Sequence, residues 1–294
     1  MAKLLLGKEV AAAIGTRLAG RVSALRDAGV SPALAVIRCG ADPADLSYEK
    51  VLEARAAAVG VTVQKLLLPE NASRQSLLDT IDAVNADCAI HGCLLFRPLP
   101  AHLAACQDEI CGRLLPEKDV DCMTDLSLAG VFSGKKLGFP PCTPQACMEI
   151  LAHYGIRCEG RRAVVIGRSL VVGRPAAMML LAENATVTIC HTGTAALPEI
   201  TRQADIVLTA AGALGSLTRD CVRAGQTVID VSVNWDPGRR NARGGLGSLA
   251  GDAVFDEIEP IVAAITPVPG GVGAVTSAVL MEHVVQAAER ALGV

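Results

Sequence analysis

Aromatic side chains are scarce in this chain of 294 residues: four phenylalanines, two tyrosines and one tryptophan. Apolar residues nevertheless make up 51%, so Ala, Val, Leu and Ile must build the core. That composition suits helices packed on buried parallel strands better than a β-sandwich. The 11 cysteines are odd in number and include no C-x-x-C pair. This argues against a disulfide framework or a zinc site, with no metal expected, and reads as buried reduced thiols in a cytoplasmic protein. No run of 18 apolar residues exists, so no membrane span is expected. The opening "MAKLLLGKEVAAAIGTRLAG" is interrupted by Lys8 and Arg17 and reads as an amphipathic helix rather than a signal peptide. Basic excess is missing too. The formal net charge is −3, with both signs dispersed, which leaves no stripe for nucleic acid. Internal repeats and low-complexity tracts are absent.

What is present is an alternation of two periods. Residues 8–28 read as a helix, "ALAVIRCG" (33–40) as a buried strand and 44–58 as a helix. The strand "VTVQKLLL" (61–68), the helix 73–87 and the strand "IHGCLLF" (90–96) follow. Such βαβ alternation implies a parallel sheet with right-handed crossovers, and ligands bind such sheets beyond the carboxyl ends of the strands. The loops "GADPADLSY", "RPLPAH" and "PEKDVDCMTD" (116–125) fall there. "SGKKLGFPPCTP" (133–144), rich in Gly and Pro, marks a boundary. Beyond it come "RRAVVIGRSLVVGRP" (161–175) and βα units at 185–190, 204–212 and 226–234. Segment 236–250 reads as a mobile or hairpin loop, and 276–292 as an amphipathic helix returning to the first domain. The expected organisation is α/β, with one domain of residues 1–140 plus 276–294 and a second, Rossmann-like domain of 141–275.

"VVIGRSLVVGRP" places Gly167, Ser169 and Gly173 at dinucleotide-turn spacing, with Ser169 where the second glycine usually sits. Gly167 permits a tight turn, small Ser169 still admits a pyrophosphate, and Gly173 allows close helix–sheet packing. As residues alone, the stretch also fits a purely structural αβ turn. The next strand ends "ICHTGT" (189–194) without the carboxylate that would hold an NAD ribose. Thr192 and Thr194 offer donors there and Arg168 adds positive charge, which favours NADP over NAD. His191 reads as a loop hydrogen-bonder rather than a base.

In "DLSYEKVLEAR" (45–55), Tyr48, Leu52 and Arg55 fall on one helical face. Asp121, in the loop "PEKDVD", reads equally as a helix cap or a solvent-facing carboxylate. Trp235 reads as boundary packing. Nothing near Cys122 or Cys142 argues for a lowered thiol pKa.

Together, "GADP…Y", "PEKDVD", "PCTP", "GRSLVVGRP", "DVSVN" and "TPVPGGVGAVT", in order over the whole chain, resemble the bifunctional methylenetetrahydrofolate dehydrogenase/methenyltetrahydrofolate cyclohydrolase family, often called FolD. The resemblance implies two α/β domains flanking a cleft, an N-terminal folate-binding domain and a Rossmann-like NADP domain, in a homodimer acting on tetrahydrofolate derivatives. It implies catalytic-site roles for Tyr48, which stacks along the folate ring, and Asp121, which hydrogen-bonds the pterin. Gly167, Arg168, Ser169 and Gly173 would hold the cofactor phosphates, Thr192 would lie near the 2′-phosphate, and Val233 would meet the nicotinamide end. Pro269, Gly270, Gly271 and Gly273 match the loop that closes over folate.

The departures from the family pattern are specific. Its Y-x-x-x-K has Leu52 in place of the catalytic lysine, and Phe96 stands where V-Q-x-P-x-P has glutamine. "DVDG" has become "DVDC" with Cys122, and "GGVGP" has become "GGVGA" with Ala274. Hydride transfer depends mainly on aligning two bound molecules. Opening the methenyl ring with water needs proton transfer, which leucine cannot supply. Lys50 lies on the wrong helix face, and Arg55 and Arg97 keep their protons near neutrality. Lys118 is the one lysine that could lie near the pocket, though the family resemblance gives it a role in supporting the loop. The expectation is an NADP-linked dehydrogenase with weak or lost cyclohydrolase activity. The alternatives are a non-catalytic or regulatory relative that binds folate or nucleotide, and a dehydrogenase retuned to another substrate.

Overall fold

Short polar side chains set where several helices start. Asp42 accepts the Ala44 N–H at 2.8 Å with Pro43 in the first turn, Ser73 accepts from Ser76 at 3.1 Å, and Thr124 accepts from Ser127 at 3.2 Å. Each satisfies a donor that the helix itself leaves unpaired. The computed structural model describes residues 1–240 and 245–293. In chain order the elements are β1 (Lys3–Leu4), α1 (Gly7–Asp27), β2 (Ala33–Cys39), α2 (Pro43–Val59), β3 (Thr62–Leu68), α3 (Arg74–Ala86) and β4 (Gly92–Leu95). A 3₁₀ turn (Ala101–Cys106) leads to α4 (Gln107–Gly112), α5 (Asp125–Ser133) and α6 (Cys142–His153). Then come β5 (Arg162–Ile166), α7 (Gly173–Ala182), β6 (Thr186–Cys190), α8 (Leu197–Arg202), β7 (Ile206–Thr209) and β8 (Thr227–Asp230). The chain ends with β9 (Asn234–Arg240), β10 (Leu246–Ala250), α9 (Phe255–Ile258), β11 (Ala264–Ile265) and α10 (Gly273–Leu292).

The N-terminal unit comprises Ala12–Cys142 and residues 277–293. Its sheet is parallel, in the order β3-β2-β4. Ala35 and Ile37 from β2 and Leu95 at the end of β4 pack on Leu77, Ile81 and Val84 of α3. Strand β2 is buried along its middle yet carries a charge. Arg38 Nε meets Glu49 Oε2 of α2 at 3.1 Å, and both side chains are closed to solvent. Lys65 of β3 reaches the other Glu49 oxygen at 3.2 Å. Helix α10 returns to this unit, where Glu289 meets Arg21 at 2.7 Å and Glu282 meets it at 3.2 Å.

The C-terminal unit comprises Met1–Ala11 and Thr143–Thr276. Its six strands are all parallel, in the order β1-β11-β8-β7-β5-β6. The core includes Val164, Ile166, Val207, Val228, Ile258 and Ile265. The first residues depart from the sequence expectation, which placed all of 1–140 in one domain. Lys3 donates to Ala263 O at 2.8 Å and Leu5 to Ile265 O at 2.9 Å, so β1 closes one edge of this sheet. A two-residue strand has no period to detect. Segment 236–250 is in part a hairpin of β9 and β10. The expectation for residues 241–244 lies outside the described residues. The divisions between units fall inside α1 and α10 and at the start of α6.

Burial pushes the Glu49 carboxyl up, but the hydrogen bonds from Arg38 and Lys65 outweigh it and hold the carboxyl below the usual range. The pair therefore stabilises the fold above the unfolded-state pKa of Glu49, and that contribution disappears as pH falls through the lower folded-state value. Glu49→Gln leaves Arg38 buried without its counter-charge and is expected to cost about 3 kcal/mol near neutrality. Denaturant titration should show the gap from the parent protein closing in acid.

Candidate functional site

In the C-terminal unit the glycine turn that the sequence marks as a candidate phosphate site lies at the carboxyl end of β5. Gly167 has φ 126°, a conformation L side chains rarely adopt. A Cβ there would run into the Ala210 carbonyl, and one on Gly173 would run into Gly167 O and lie 2.8 Å from Arg168 N. The strand and α7 thus approach as closely as a dinucleotide turn requires. Ser169 does more than stay small. Its Oγ accepts from Val172 N at 3.1 Å and Gly173 N at 3.4 Å, capping the start of α7. Arg168 is exposed beside it.

The neighbouring loops reach the same end of the sheet. Gly167 N donates to Cys190 O at 2.9 Å, which ties the turn to the end of β6. After β6, His191 N donates to Thr194 Oγ1 at 2.8 Å, and His191 Nδ1 accepts from Gly193 N at 3.1 Å. His191 therefore braces its own loop, while Thr192 stays exposed. Val233, just beyond β8, is 57% exposed. Segment Pro269–Gly273 follows β11 at this same carboxyl edge. Gly270 O accepts from Gly7 N at 2.9 Å, and Gly271 packs so tightly that a Cβ would meet Pro267 O at 2.6 Å.

The residue that organises these loops had no motif to announce it. Asp252 is wholly closed to solvent. Its Oδ2 accepts from Ala211 N at 2.7 Å, Ser232 Oγ at 2.8 Å and Thr209 Oγ1 at 2.9 Å. Its Oδ1 accepts from Ala213 N at 2.9 Å and Asn234 Nδ2 at 3.2 Å. One carboxylate thus fixes the loops after β7 and β8 on both sides of Val233, through charge-assisted bonds of the stronger kind. Asp230, beside it, accepts from Ala253 N at 2.8 Å and Asp252 N at 3.1 Å. Burial and the Asp252 charge outweigh those bonds and push the Asp230 carboxyl up to about 7. The signal open to a sequence reader was "GDAV" (251–254), an acidic residue between apolar ones after the hairpin.

In the N-terminal unit, the structure brings Tyr48, Phe96, Arg97 and Asp121 together. Tyr48 is 38% exposed and meets Phe96 edge-on, with ring centroids 5.8 Å apart and planes at 72°. Leu52, one turn on, is 0% exposed and belongs to the core face with Glu49, Ala56 and Val59. Burial first, then the Asp121 charge, raise the Tyr48 phenol above its usual range. Arg97 Nη2 lies 3.9 Å from Asp121 Oδ2. Burial pushes the Asp121 carboxyl up to about 6, with the Cys142 thiol and the Arg97 charge pulling it back.

The loop carrying Asp121 is held by its neighbours in sequence. Asp119, fully buried, accepts from Met123 N at 2.8 Å, Thr124 N at 2.9 Å and Thr124 Oγ1 at 2.6 Å. Cys122 has φ 57°, which costs a residue with a Cβ about 1–2 kcal/mol and explains why glycine is expected at that position. Lys118 takes a supporting role rather than facing the pocket. Its Nζ donates to Val84 O at 2.6 Å, Asp87 O at 2.6 Å and Asn85 O at 3.2 Å. The ammonium is committed to the last carbonyls of α3. Behind Asp121, His283 Nδ1 bonds Val120 O at 2.8 Å. Burial lowers this imidazole to about 4, so it is neutral near pH 7. The thiols of Cys122 and Cys142 are raised by burial. Among the described residues no group of three or more His, Cys, Asp or Glu is placed to hold a metal ion.

A glycine-cradled turn on a six-stranded parallel sheet, with a separate α/β unit bearing an aromatic–carboxylate pocket, defines a nucleotide-linked α/β protein. The catalytic-domain profile of the tetrahydrofolate dehydrogenase/cyclohydrolase family matches residues 5–121, and that family's NAD(P)-binding-domain profile matches 141–292. The bifunctional protein FolD of Carboxydothermus hydrogenoformans is 48% identical over 290 residues, covering 98% of each chain. The crystal structure of the bifunctional FolD enzyme of Campylobacter jejuni superposes with a TM-score of 0.91 at 38% identity over 99% of each chain. The Trypanosoma brucei dehydrogenase-cyclohydrolase, solved with NADP cofactor and an inhibitor, superposes at 0.90 with 32% identity, covering 100% of this chain and 99% of its own. The chain belongs to the tetrahydrofolate dehydrogenase/cyclohydrolase family.

Asp252→Asn turns one of the oxygens facing these donors into an NH₂ group. Calorimetric titration with NADP⁺ should show affinity falling about tenfold, equivalent to about 1.4 kcal/mol.

Proposed function

We propose that this protein oxidises 5,10-methylenetetrahydrofolate to 5,10-methenyltetrahydrofolate with NADP⁺, and that hydrolysis of the methenyl product is weak or lost. Bound NADP⁺ supplies the hydride acceptor, so the protein's task is to hold and align two molecules. Gly167, Ser169 and Gly173 form the close approach for the pyrophosphate, and exposed Arg168 and Thr192 supply a charge and a donor for the 2′-phosphate. Val233 offers backbone to the nicotinamide end, and residues 269–273 match the family's folate-closing loop.

Tyr48 supplies a wall for the folate ring. Its phenol stays protonated, because burial and the Asp121 charge raise it, so it acts as a donor and not as a base. Asp121 accepts N–H groups of the pterin and is occupied by that work. The observation that carries the hydrolytic half of the reading is Leu52, closed to solvent where the family pattern has lysine, with Phe96 against Tyr48 where it has glutamine. Lys118 is tied to α3, and Arg97 does not release a proton near neutrality. Among the described residues, this pocket offers no lysine to move the proton that ring opening requires. Loss of such help lowers a rate by about 10²–10⁴.

We further propose a homodimer in the cytoplasm, in line with the family resemblance and with eleven cysteines that are all free thiols. None of the described helices is long and apolar enough to cross a membrane.

Purified protein should reduce NADP⁺ with 5,10-methylenetetrahydrofolate while the methenyl absorbance persists. Brisk decay of that absorbance would overturn the hydrolytic half. Leu52→Lys combined with Phe96→Gln should accelerate hydrolysis by about 10²-fold.

A further inference from the structure

Arg97 departs from the apolar character of its neighbours Leu95, Phe96 and Leu99, yet its guanidinium reaches the Asp121 carboxylate. We propose that Arg97 is a positioning residue, its guanidinium set beside Asp121 so that the carboxylate is presented to the N–H donors of the substrate's pterin. This rests on the reading of Asp121 as the pterin ligand.

The distance is the first support. At 3.9 Å the guanidinium exerts its charge without a direct hydrogen bond, so it does not itself occupy the lone pairs that Cys142 leaves open. A closer, bidentate pair would occupy them. The two side chains keep 26% and 32% of their surface open to solvent, and the remainder is enclosed.

The surroundings are the second support. Tyr48 from α2 and the Cys142 thiol at the start of α6 face the carboxylate. Asp119 and Cys122 face it from its own loop, and Asp119 repels it. His283 from α10 stands behind Cys142, 3.7 Å from the sulfur, and is neutral near pH 7. Lys118, three residues before Asp121, has its ammonium on the carbonyls of α3. Within this set Arg97 brings the positive charge. Burial alone pushes the carboxyl up, and Arg97 opposes it. Arg97 thus provides at Asp121 a charge that Leu52 cannot provide one helix away, and it does so without proton transfer.

The test uses the full-length protein with ¹³C-labelled aspartate, Asp121→Asn identifying the Asp121 resonance. Arg97→Leu should raise the Asp121 titration midpoint by about one unit, the lower end of what a neighbouring opposite charge does. Arg97→Lys should restore most of it. In steady-state assays Arg97→Leu should raise KM for 5,10-methylenetetrahydrofolate about tenfold below pH 7, with kcat and KM for NADP⁺ within about twofold. An unmoved midpoint, a lysine variant no better than leucine, or equal losses in both KM values and kcat would each overturn the proposal. If the parent protein does not oxidise methylenetetrahydrofolate, the functional reading falls, while the titration still decides whether Arg97 holds Asp121. Should Arg97→Leu not fold, Arg97→Gln reads the same midpoint.

Discussion

A carboxylate taken out of water must find donors or a counter-charge, and the cost of failing to do so is several kcal/mol. This constraint shapes both units. Asp252 satisfies it with five donors, three from the loops after β7 and β8 and two from the strand ends that flank them, which ties those loops together. Asp119 satisfies it with Thr124 and Met123, which fixes the segment presenting Asp121. Asp121 meets it only in part, with an arginine at 3.9 Å and a thiol. A partly satisfied carboxylate retains a drive to bind, which suits a residue that awaits a ligand's N–H groups. The fully satisfied ones serve as fixed points.

Much of the architecture is legible from the residue pattern. Strands such as "AVVI" and "IVLT", flanked by helical periods, announce parallel βα units, and "GRSLVVGRP" announces the turn that Gly167 and Gly173 make. The elements that escape notice are short or non-local. Strand β1 has two residues and finds its partner more than 250 positions away. Asp252 is an ordinary acidic residue until folding surrounds it with donors from residues 209–234. That Lys118 supports rather than faces the pocket follows the family pattern, but which carbonyls it reaches, those of residues 84, 85 and 87, is not written in its neighbours in sequence. Arg38 was visible as a charge inside a buried strand, "AVIRC", and its partner Glu49 lay in the very helix singled out for Tyr48.

The family comparison and the pocket bear on different halves of the function. Membership rests on the whole chain and carries the nucleotide unit with it. The proposed loss of hydrolysis rests on positions 52 and 96, because hydride transfer is a matter of alignment and ring opening is a matter of protons. Leu52 itself lies closed to solvent on the core face of α2.

The divisions between the units fall within α1 and α10 and at the start of α6, so neither unit is a single continuous stretch of chain. A gene cut near codon 142 would take an edge strand from one sheet and the closing helix from the other, leaving two fragments, each missing a piece. Exchange of either unit between relatives by recombination would need three coordinated crossovers. The two units therefore travel most readily as one piece, and point substitution within a unit is the simpler route to change.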